Sequence, residues 1–330
     1  MFVTGVQTLC SSDLLRWVLI VTLATEAVGA ALLFTVFAGE YGVPKGLALS
    51  VFHSVSAFCN AGFDLMGVRE PFSSLTSYGS NVYVNAVIML LIILGGIGFL
   101  TWDDVVRHRH HFRKYRLQTK LVLATTAFLI VLPALFFFFT EYAGEPVKER
   151  ILHSLFQSVT ARTAGFNNAD LSEMRETGSM TMTVLMLIGG CSGSTAGGMK
   201  TSTLAVLFLA ALSIYRRREQ VQCFGRRIAE DTVRTAGAIL FMYTGLFLSA
   251  GIAVSLIESL PLMACLFETG SALGTAGLTL GITAGLSLPS HIILMLLMFA
   301  GRVGGLTLIY AAFATGGETA RLPMEKITVG

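Results

Sequence analysis

Most of the chain consists of long apolar stretches that are separated by short polar segments. Four of these stretches carry no charge or a single charge: Val82 to Trp102, Leu121 to Thr140, Thr235 to Ile257 and Met180 to Tyr215. Two more, at 14–38 and from Leu286 to Thr315, carry two ionisable residues each. A bilayer core about 30 Å thick is crossed by about 20 helical residues. The pattern therefore predicts six membrane-spanning helices.

The stretch from Met180 to Tyr215 is longer than one crossing needs. Its middle, at 189–198, reads GGCSGSTAGG. Glycine weakens a helix because it loses the most conformational freedom on folding. We therefore predict that this span is interrupted at membrane depth.

Composition narrows the class of protein. Of the 330 residues, 54% are hydrophobic and 13% are charged, and the mean hydropathy is +0.71. A soluble domain has about 25% charged residues, so this composition argues against an ordinary cytosolic enzyme. The five cysteines are scattered and odd in number, which excludes a disulfide framework. We predict an all-α polytopic membrane protein.

Basic residues are concentrated in two polar loops. Residues 107–120 and 216–234 hold 12 of the 23 lysines and arginines. Cytoplasmic loops carry an excess of these residues, so we place both loops in the cytoplasm of a multi-pass cell-membrane protein. The semi-apolar segments at 39–79, 141–178 and 258–285 then face outside.

The three outside segments contain a repeat. Each reads as a short apolar helix that starts near a phenylalanine and is followed by (Asn/Thr)-Ala-Gly-(Phe/Leu). The candidate filter residues are Asn60, Ala61, Gly62 and Phe63 in the first copy, Thr163, Ala164, Gly165 and Phe166 in the second, and Thr275, Ala276, Gly277 and Leu278 in the third. Each copy lies between two spans, so the unit is span, half-helix, glycine turn, span.

This unit suits the passage of a monovalent cation. A half-helix that enters from outside directs its partially negative C-terminus towards the membrane centre. Backbone carbonyls of the returning strand can replace the water shell of a cation, and glycine permits the backbone angles that point them inward. The alternative, close helix packing through Ala-Gly pairs, explains one copy better than three.

These motifs resemble those of the Trk/Ktr/HKT superfamily of potassium transporters, and the match is best to the bacterial Ktr-type membrane subunit. The resemblance is carried by Asn60-Ala-Gly-Phe63, Gly95-Gly-Ile-Gly-Phe99, Leu117-Gln-Thr-Lys120, Ala161-Arg-Thr-Ala-Gly-Phe-Asn167, Gly189-Gly-Cys-Ser-Gly-Ser-Thr-Ala-Gly-Gly-Met-Lys-Thr201 and Gly301-Arg-Val-Gly-Gly305. It implies four repeats around one pore, K⁺ as the substrate, Na⁺ as a candidate coupling ion and no covalent cofactor. It also implies a homodimer on a cytosolic ring of nucleotide-binding RCK/KTN subunits, in a lipid bilayer and without nucleic acid.

Within this resemblance the chain divides into three pore repeats. Residues 14–106 correspond to the family's second repeat, 117–216 to its third and 231–315 to its fourth, with a cytosolic basic loop at 107–120 and a cytosolic tail at 316–330. The segment 1–13 fits no repeat, and we expect the first repeat to be absent from this sequence. The family position that most influences K⁺ over Na⁺ lies in that first filter, so a truncated non-conducting fragment is an open alternative.

The interrupted span is predicted to be a gate below the filter. The candidate gate residues are Gly189, Gly190, Gly193, Ser194, Thr195, Gly197, Gly198, Lys200 and Arg302. Arg302 lies inside an apolar span, and the resemblance implies that it is a latch for the loop or an electrostatic barrier. For Lys200, a loop cap, a place near the cytosolic pore and a purely structural role stay open. A phosphate-binding loop is excluded because Met199 separates Gly198 from the lysine.

Two other classes of function fit the sequence less well. An intramembrane enzyme needs a catalytic pair within the spans, and neither H-E-x-x-H nor paired intramembrane aspartates occur; we expect no enzymatic activity. A secondary cation transporter with broken helices is the nearer alternative. Inverted repeats would make neighbouring units enter from opposite sides, whereas all three units here are predicted to enter from one side.

Overall fold

The chain folds into eleven α-helices and one short β-hairpin in the part that the structure, a computed structural model, describes: residues 11–68, 73–305 and 307. The helices are α1 (Ser11–Tyr41), α2 (Val43–Phe58), α3 (Val82–Ile97), α4 (Phe99–His108), α5 (Leu117–Thr140), α6 (Val147–Thr160), α7 (Glu176–Leu187), α8 (Thr201–Tyr215), α9 (Glu230–Glu258), α10 (Leu262–Gly274) and α11 (Leu288–Val303). The strands are β1 (Gln222–Cys223) and β2 (Arg226–Arg227). The tail 316–330 and most of the segment 1–13 lie outside the described residues.

Three helices, α1, α5 and α9, are each long and apolar enough to cross a membrane. In the most apolar window of α1 only 17% of the residues are buried inside the protein, although the mean hydropathy there is 2.0. Large exposed side chains such as Phe139 on α5 and Phe241 on α9 continue this apolar surface. A surface of this size and composition requires lipid rather than water around it. The prediction of an all-α polytopic membrane protein is confirmed.

The three predicted half-helices are α2, α6 and α10. They contain 16, 14 and 13 residues, which at 1.5 Å per residue is about 20–24 Å, too short to cross the bilayer core. A proline lies at the start of each of them: Pro44 is the second residue of α2, and Pro146 and Pro261 immediately precede α6 and α10. Its fixed φ suits a helix start, where its missing N–H has no cost.

Each half-helix is held within its own unit and against the next one. Helix α2 packs between α1 and α3, α6 packs against α5, and α10 packs between α9 and α11. Between units, α3 contacts α6, and α7 contacts α10. The three units therefore follow one another around a shared centre.

The single span predicted from Val82 to Trp102 is wrong. The helix ends at Ile97, and α4 leaves at an angle of 96° to α3. Gly98 lies at the corner with φ 95 and ψ 140, which an L-residue with a Cβ does not adopt readily. Its carbonyl-side neighbour, Phe99, donates its backbone N–H to Gly193 O at 3.0 Å. The bend thus makes room for the glycine-rich loop of the second unit.

The other glycine-rich breaks divide two more of the six predicted spans. The stretch from Met180 to Tyr215 splits into α7 and α8, with residues 188–200 between them, as predicted. Helix α11 ends at Val303, where Gly304 has φ 87; most of the remainder of that predicted span lies outside the described residues. The breaks at Gly98 and Gly304 occupy the same position in the motifs GGIGF and GRVGG.

The two basic loops lie on one side of the protein. The strands β1 and β2 form a tight hairpin within 216–234, which the sequence pattern did not predict. Phe224 of its turn contacts Phe112 of the other loop, with ring centroids 6.1 Å apart. The Lys120 ammonium lies 5.6 Å and 5.7 Å from the centres of these two rings.

Candidate functional site

The three candidate filter segments share one unusual backbone. The first residue of each, Asn60, Thr163 and Thr275, has positive φ (50, 74 and 54), and so has the glycine two positions later. Those glycines are Gly62, Gly165 and Gly277, with φ of 71, 87 and 81. The alanine between them does not have positive φ. Left-handed residues that alternate with ordinary ones turn successive carbonyls towards one side of the strand.

The filter segments also lie against one another. A Cβ added to Gly62 would meet Ala164 O and come within 2.7 Å of Gly165 Cα. A Cβ on Gly165 would in turn meet Ala276 O of the third unit. The middle carbonyl of one filter therefore faces the glycine of its neighbour, and the three segments border a common axis.

The end of each half-helix anchors the filter that follows it. The amides of Ala61, Ala164 and Ala276 donate to carbonyls in the last turn of α2, α6 and α10, at 2.9, 3.0 and 2.8 Å. In two units a hydroxyl also fixes the far end of the filter. Ser56 Oγ donates to Phe63 O at 2.7 Å, and Thr160 Oγ1 donates to Phe166 O at 2.6 Å.

The side chains of the filter segments are not equivalent. Phe166 and Leu278 are buried, whereas Phe63 is 71% exposed. The hydroxyls of Thr163 and Thr275 are buried, and neither has a hydrogen-bond partner among the described residues. A buried hydroxyl without a partner has a free-energy cost, so a ligand at these two oxygens would relieve it.

A cavity of about 660 Å³ opens on one side of the filter. The three filter glycines border it, and its walls are the loops that follow each filter. Asp64 and Asp170 line it, which gives the entrance a negative charge that attracts cations. Two residues beyond Thr76, which also lines the cavity, Tyr78 donates to Glu40 Oε2 at 2.7 Å. Burial, followed by this hydrogen bond, raises the pKa of the Tyr78 phenol.

The loop at 188–200 lies on the opposite side of the filter. It is pinned at its base by a parallel bridge between Ile188 and Met199. Gly197 packs against the Thr275 side chain, the first position of the third filter. The Thr195 hydroxyl lies 3.1 Å from Phe58 O, at the end of α2, and 3.2 Å from Gly95 O. The loop thus contacts the filter end of two different units.

Two cations hold successive carbonyls of this loop. Arg302 Nη1 donates to Thr195 O at 2.9 Å, and Lys200 Nζ donates to Ala196 O at 2.6 Å. The structure therefore brings Arg302, from α11 of the third unit, to the loop of the second unit, as a latch requires. The other candidate gate residues, Gly189, Gly190, Gly193, Ser194 and Gly198, lie in the same loop.

Two glycines outside the loop belong to this site, although the sequence placed them only in family motifs and not among the candidate filter or gate residues. A Cβ on Gly95 would strike Phe58 O, and a Cβ on Gly301 would strike Leu273 O. Each lets an outer helix touch the end of its half-helix, immediately before the filter. The signal that could have found them is the shared spacing of GGIGF and GRVGG, where both are the first glycine.

Re-entrant half-helices, a shared ring of filter backbone and a loop beneath it define a multi-pass membrane protein that provides a pathway for cations. A family model described as "TrkH: Cation transport protein" matches residues 2–316, a range that includes all but the first residue of the segment 1–13, which we had expected to match nothing in the family. The chain belongs to this family, which confirms the resemblance to Trk and Ktr membrane subunits.

Relatives and a solved structure agree with this assignment. The chain is 36% identical to the potassium/sodium uptake protein NtpJ of Enterococcus hirae over 96% of its own length and 72% of that protein. It is 34% identical to the Ktr system potassium uptake protein B of Bacillus subtilis, with 96% and 71% covered. The crystal structure of the potassium transporter TrkH from Vibrio parahaemolyticus has the same fold, with a TM-score of 0.75 at 17% identity, over 93% of this chain and 66% of that one.

Proposed function

We propose that this chain carries K⁺ across the cell membrane through the filter formed by its three glycine turns. The observation that carries the proposal is the backbone of the filter: three segments with the same alternation of φ, in contact through Gly62, Gly165 and Gly277. Carbonyl rings of this kind replace the water shell of a monovalent cation. The names of the relatives, which refer to uptake of potassium or of potassium and sodium, support the choice of ion.

The unpartnered hydroxyls support the same pathway. Thr163 and Thr275 are the first residues of their filters, and the Oγ1 of each has no hydrogen-bond partner among the described residues. Hydroxyl oxygens are suitable ligands for a hard cation that leaves or enters the carbonyl ring. A K⁺ ion that passes either hydroxyl would supply it with a partner.

The loop at 188–200 is proposed to be the gate, here in its closed position. It lies against Thr275 and is held by Thr195, Lys200 and Arg302. Ile188 and Met199 fix the base of the loop in the apolar core, whereas residues 192–195 at its tip are partly buried or exposed. A modest shift in free energy can therefore release the tip from its hydrogen bonds. The glycines supply the backbone freedom for that shift.

Assembly follows from the same resemblance. We propose that the chain works as a homodimer on a cytosolic nucleotide-binding ring of RCK/KTN type, as the word "system" in the names of the Ktr relatives suggests. The loops at 107–120 and 216–234 lie side by side and are basic, so they are proposed to face the cytoplasm and this ring. Na⁺ is proposed as the coupling ion.

Growth at limiting K⁺ tests the function. A bacterium without its own K⁺ uptake systems would receive either the 330-residue chain or NtpJ in which this chain replaces the matching segment. We expect growth at limiting K⁺ from at least the second form, and loss of that growth when Gly165→Asp places a side chain in the filter. Wild-type and variant forms that reach the membrane equally and support equal growth would contradict the proposal.

A further inference from the structure

One buried polar side chain in each unit connects the half-helix to the segment beyond the filter. The residue is His53 in α2, Gln157 in α6 and Glu268 in α10, and each directly follows the phenylalanine that aligns the repeats. Their exposed fractions are 0%, 0% and 4%. A polar side chain is rarely buried this fully unless it is hydrogen-bonded.

All three residues reach the same place in their own unit. The Leu65 amide lies 3.4 Å from His53 Nε2, and Gln157 Nε2 donates to the side-chain oxygens of Asn167 and Asn168 at 3.0 and 3.3 Å. These contacts fall two or three positions beyond Gly62 and Gly165 in the sequence.

The third unit makes the strongest set of contacts. Glu268 Oε1 accepts from Thr279 Oγ1 at 2.7 Å and from the Leu280 amide at 3.0 Å, and Oε2 accepts from Thr283 Oγ1 at 2.6 Å. Three donors therefore converge on one carboxyl group, more than the one contact of His53 or the two of Gln157 beyond their filters. These contacts again begin two positions beyond the filter glycine.

We call each of these contacts, from a half-helix to the segment beyond its filter, a tether. The tether of the first unit is weaker and of a different kind. His53 Nδ1 lies 2.7 Å from Leu49 O in its own helix. A single tautomer, with the proton on Nδ1, satisfies both contacts and leaves Nε2 to accept from Leu65. The tether of the second unit continues into the first unit, because Asn168 Nδ2 donates to Asn85 Oδ1 of α3 at 2.8 Å.

We propose that His53, Gln157 and Glu268 are the positioning residues of the filter, one in each unit, and that Glu268 contributes most to the preference for K⁺ over Na⁺. They act through the backbone, not on the ion. By fixing the segment beyond the glycine they prevent the carbonyl ring from narrowing around the smaller ion. The inference rests on the proposed passage of K⁺ through this filter.

The test uses the purified 330-residue chain in detergent. The first readout is the concentration of K⁺ and of Na⁺ that half-saturates stabilisation against heat, because an ion that binds the folded state stabilises it by mass action. The second readout is hydrogen exchange of the peptide that covers 279–285, which reports the Leu280 amide whether or not ions bind.

For Glu268→Leu we expect the K⁺ preference to fall, and exchange at Leu280 to accelerate, each about fivefold or more, as loss of one hydrogen bond of ordinary strength would give. Glu268→Gln keeps an acceptor and should lie between this variant and the wild type. Thr283→Val should lower the K⁺ preference by part of the amount that Glu268→Leu does. The double variant should equal Glu268→Leu alone, because the two residues share one hydrogen bond.

Thr269→Val is the matched control. Thr269 is the next residue of the same helix and is equally buried, but its hydroxyl bonds only to carbonyls of α10. Its K⁺ preference should stay within about twofold of the wild type. The tether is refuted if Glu268→Leu leaves both readouts unchanged, or if Thr269→Val lowers the K⁺ preference equally.

The same experiment separates this inference from the proposed function. A wild-type chain that neither K⁺ nor Na⁺ stabilises would count against the cation site itself. Hydrogen exchange would still test whether Glu268 fixes the segment beyond the filter. Fast exchange at the Leu280 amide in the wild type would refute this role, and slow exchange that becomes faster in Glu268→Leu would support it.

Discussion

Replacing the filter glycines with alanine should damage the pathway in an order that the structure sets. All three have positive φ, where an L-residue costs about 1–2 kcal/mol. That cost alone corresponds to a change of about 5- to 30-fold in an equilibrium constant. What differs is the space around the added methyl group.

At Gly62 the new Cβ would come within 2.7 Å of Gly165 Cα and would also strike Ala164 O, and at Gly165 it would strike Ala276 O. These neighbours are backbone of the adjacent unit, so the ring must widen. At Gly277 the nearest atom is Gly165 Cα at 3.9 Å, an ordinary contact. Gly277→Ala should therefore show the conformational penalty alone, and Gly62→Ala and Gly165→Ala a further loss.

The assay is the uptake of K⁺ and Na⁺ into cells that carry each variant at equal membrane level. Gly237→Ala is the control, since Gly237 lies inside α9 with no atom within 4 Å of its added Cβ, and alanine is favoured in a helix by about 0.5–1 kcal/mol. A Gly277→Ala variant that loses K⁺ preference more than Gly62→Ala would refute the packing of the ring.

Three further outcomes are expected. Thr195→Val and Arg302→Gln each remove a bond that holds the loop below the filter, so each should raise K⁺ flux severalfold in flux assays without the cytosolic ring; unchanged flux in both would count against the latch. Gly98→Ala should also raise K⁺ flux in the absence of the ring, because a Cβ at this position would come within 2.7 Å of Ser192 O and displace the loop. A Gly98→Ala flux equal to that of the wild type would contradict this expectation. Asn85→Leu removes the acceptor of Asn168 Nδ2 and one donor to each of the carbonyls of Tyr78 and Gly79, so it should lower the free energy of unfolding by about 2 kcal/mol or more. The loss is measured as a lower melting temperature in detergent, and an unchanged melting temperature would show that the network adds no stability.

The repeat and the broken span could be predicted from the sequence because their signals are local. A run of apolar residues, a glycine cluster and three copies of one motif are visible without knowledge of any contact. The bend at Gly98 was missed for the opposite reason. Val82 to Trp102 is uninterrupted in hydropathy, and the helix breaks because the loop of another unit occupies the space beside it.

The hydrogen-bond partners of the site residues could not be predicted from the sequence either. Arg302 was recognised as an intramembrane charge, but its contact with Thr195 joins residues that are far apart in the chain. In the sequence, Glu268 is one polar residue within a short apolar helix, and nothing near it in the chain indicates what it contacts. Their common register became informative only when the structure placed the segments beyond all three filters against them.

The most direct measurement of the central claim is the position of a heavy K⁺ substitute in crystals of the protein. Crystals grown with Rb⁺ should give an anomalous peak on the axis bordered by the segments Asn60–Gly62, Thr163–Gly165 and Thr275–Gly277, and the peak should weaken in K⁺ but not in equal Na⁺. Rb⁺ found only in the outer cavity, or displaced equally by both ions, would contradict passage of K⁺ through this ring of backbone carbonyls.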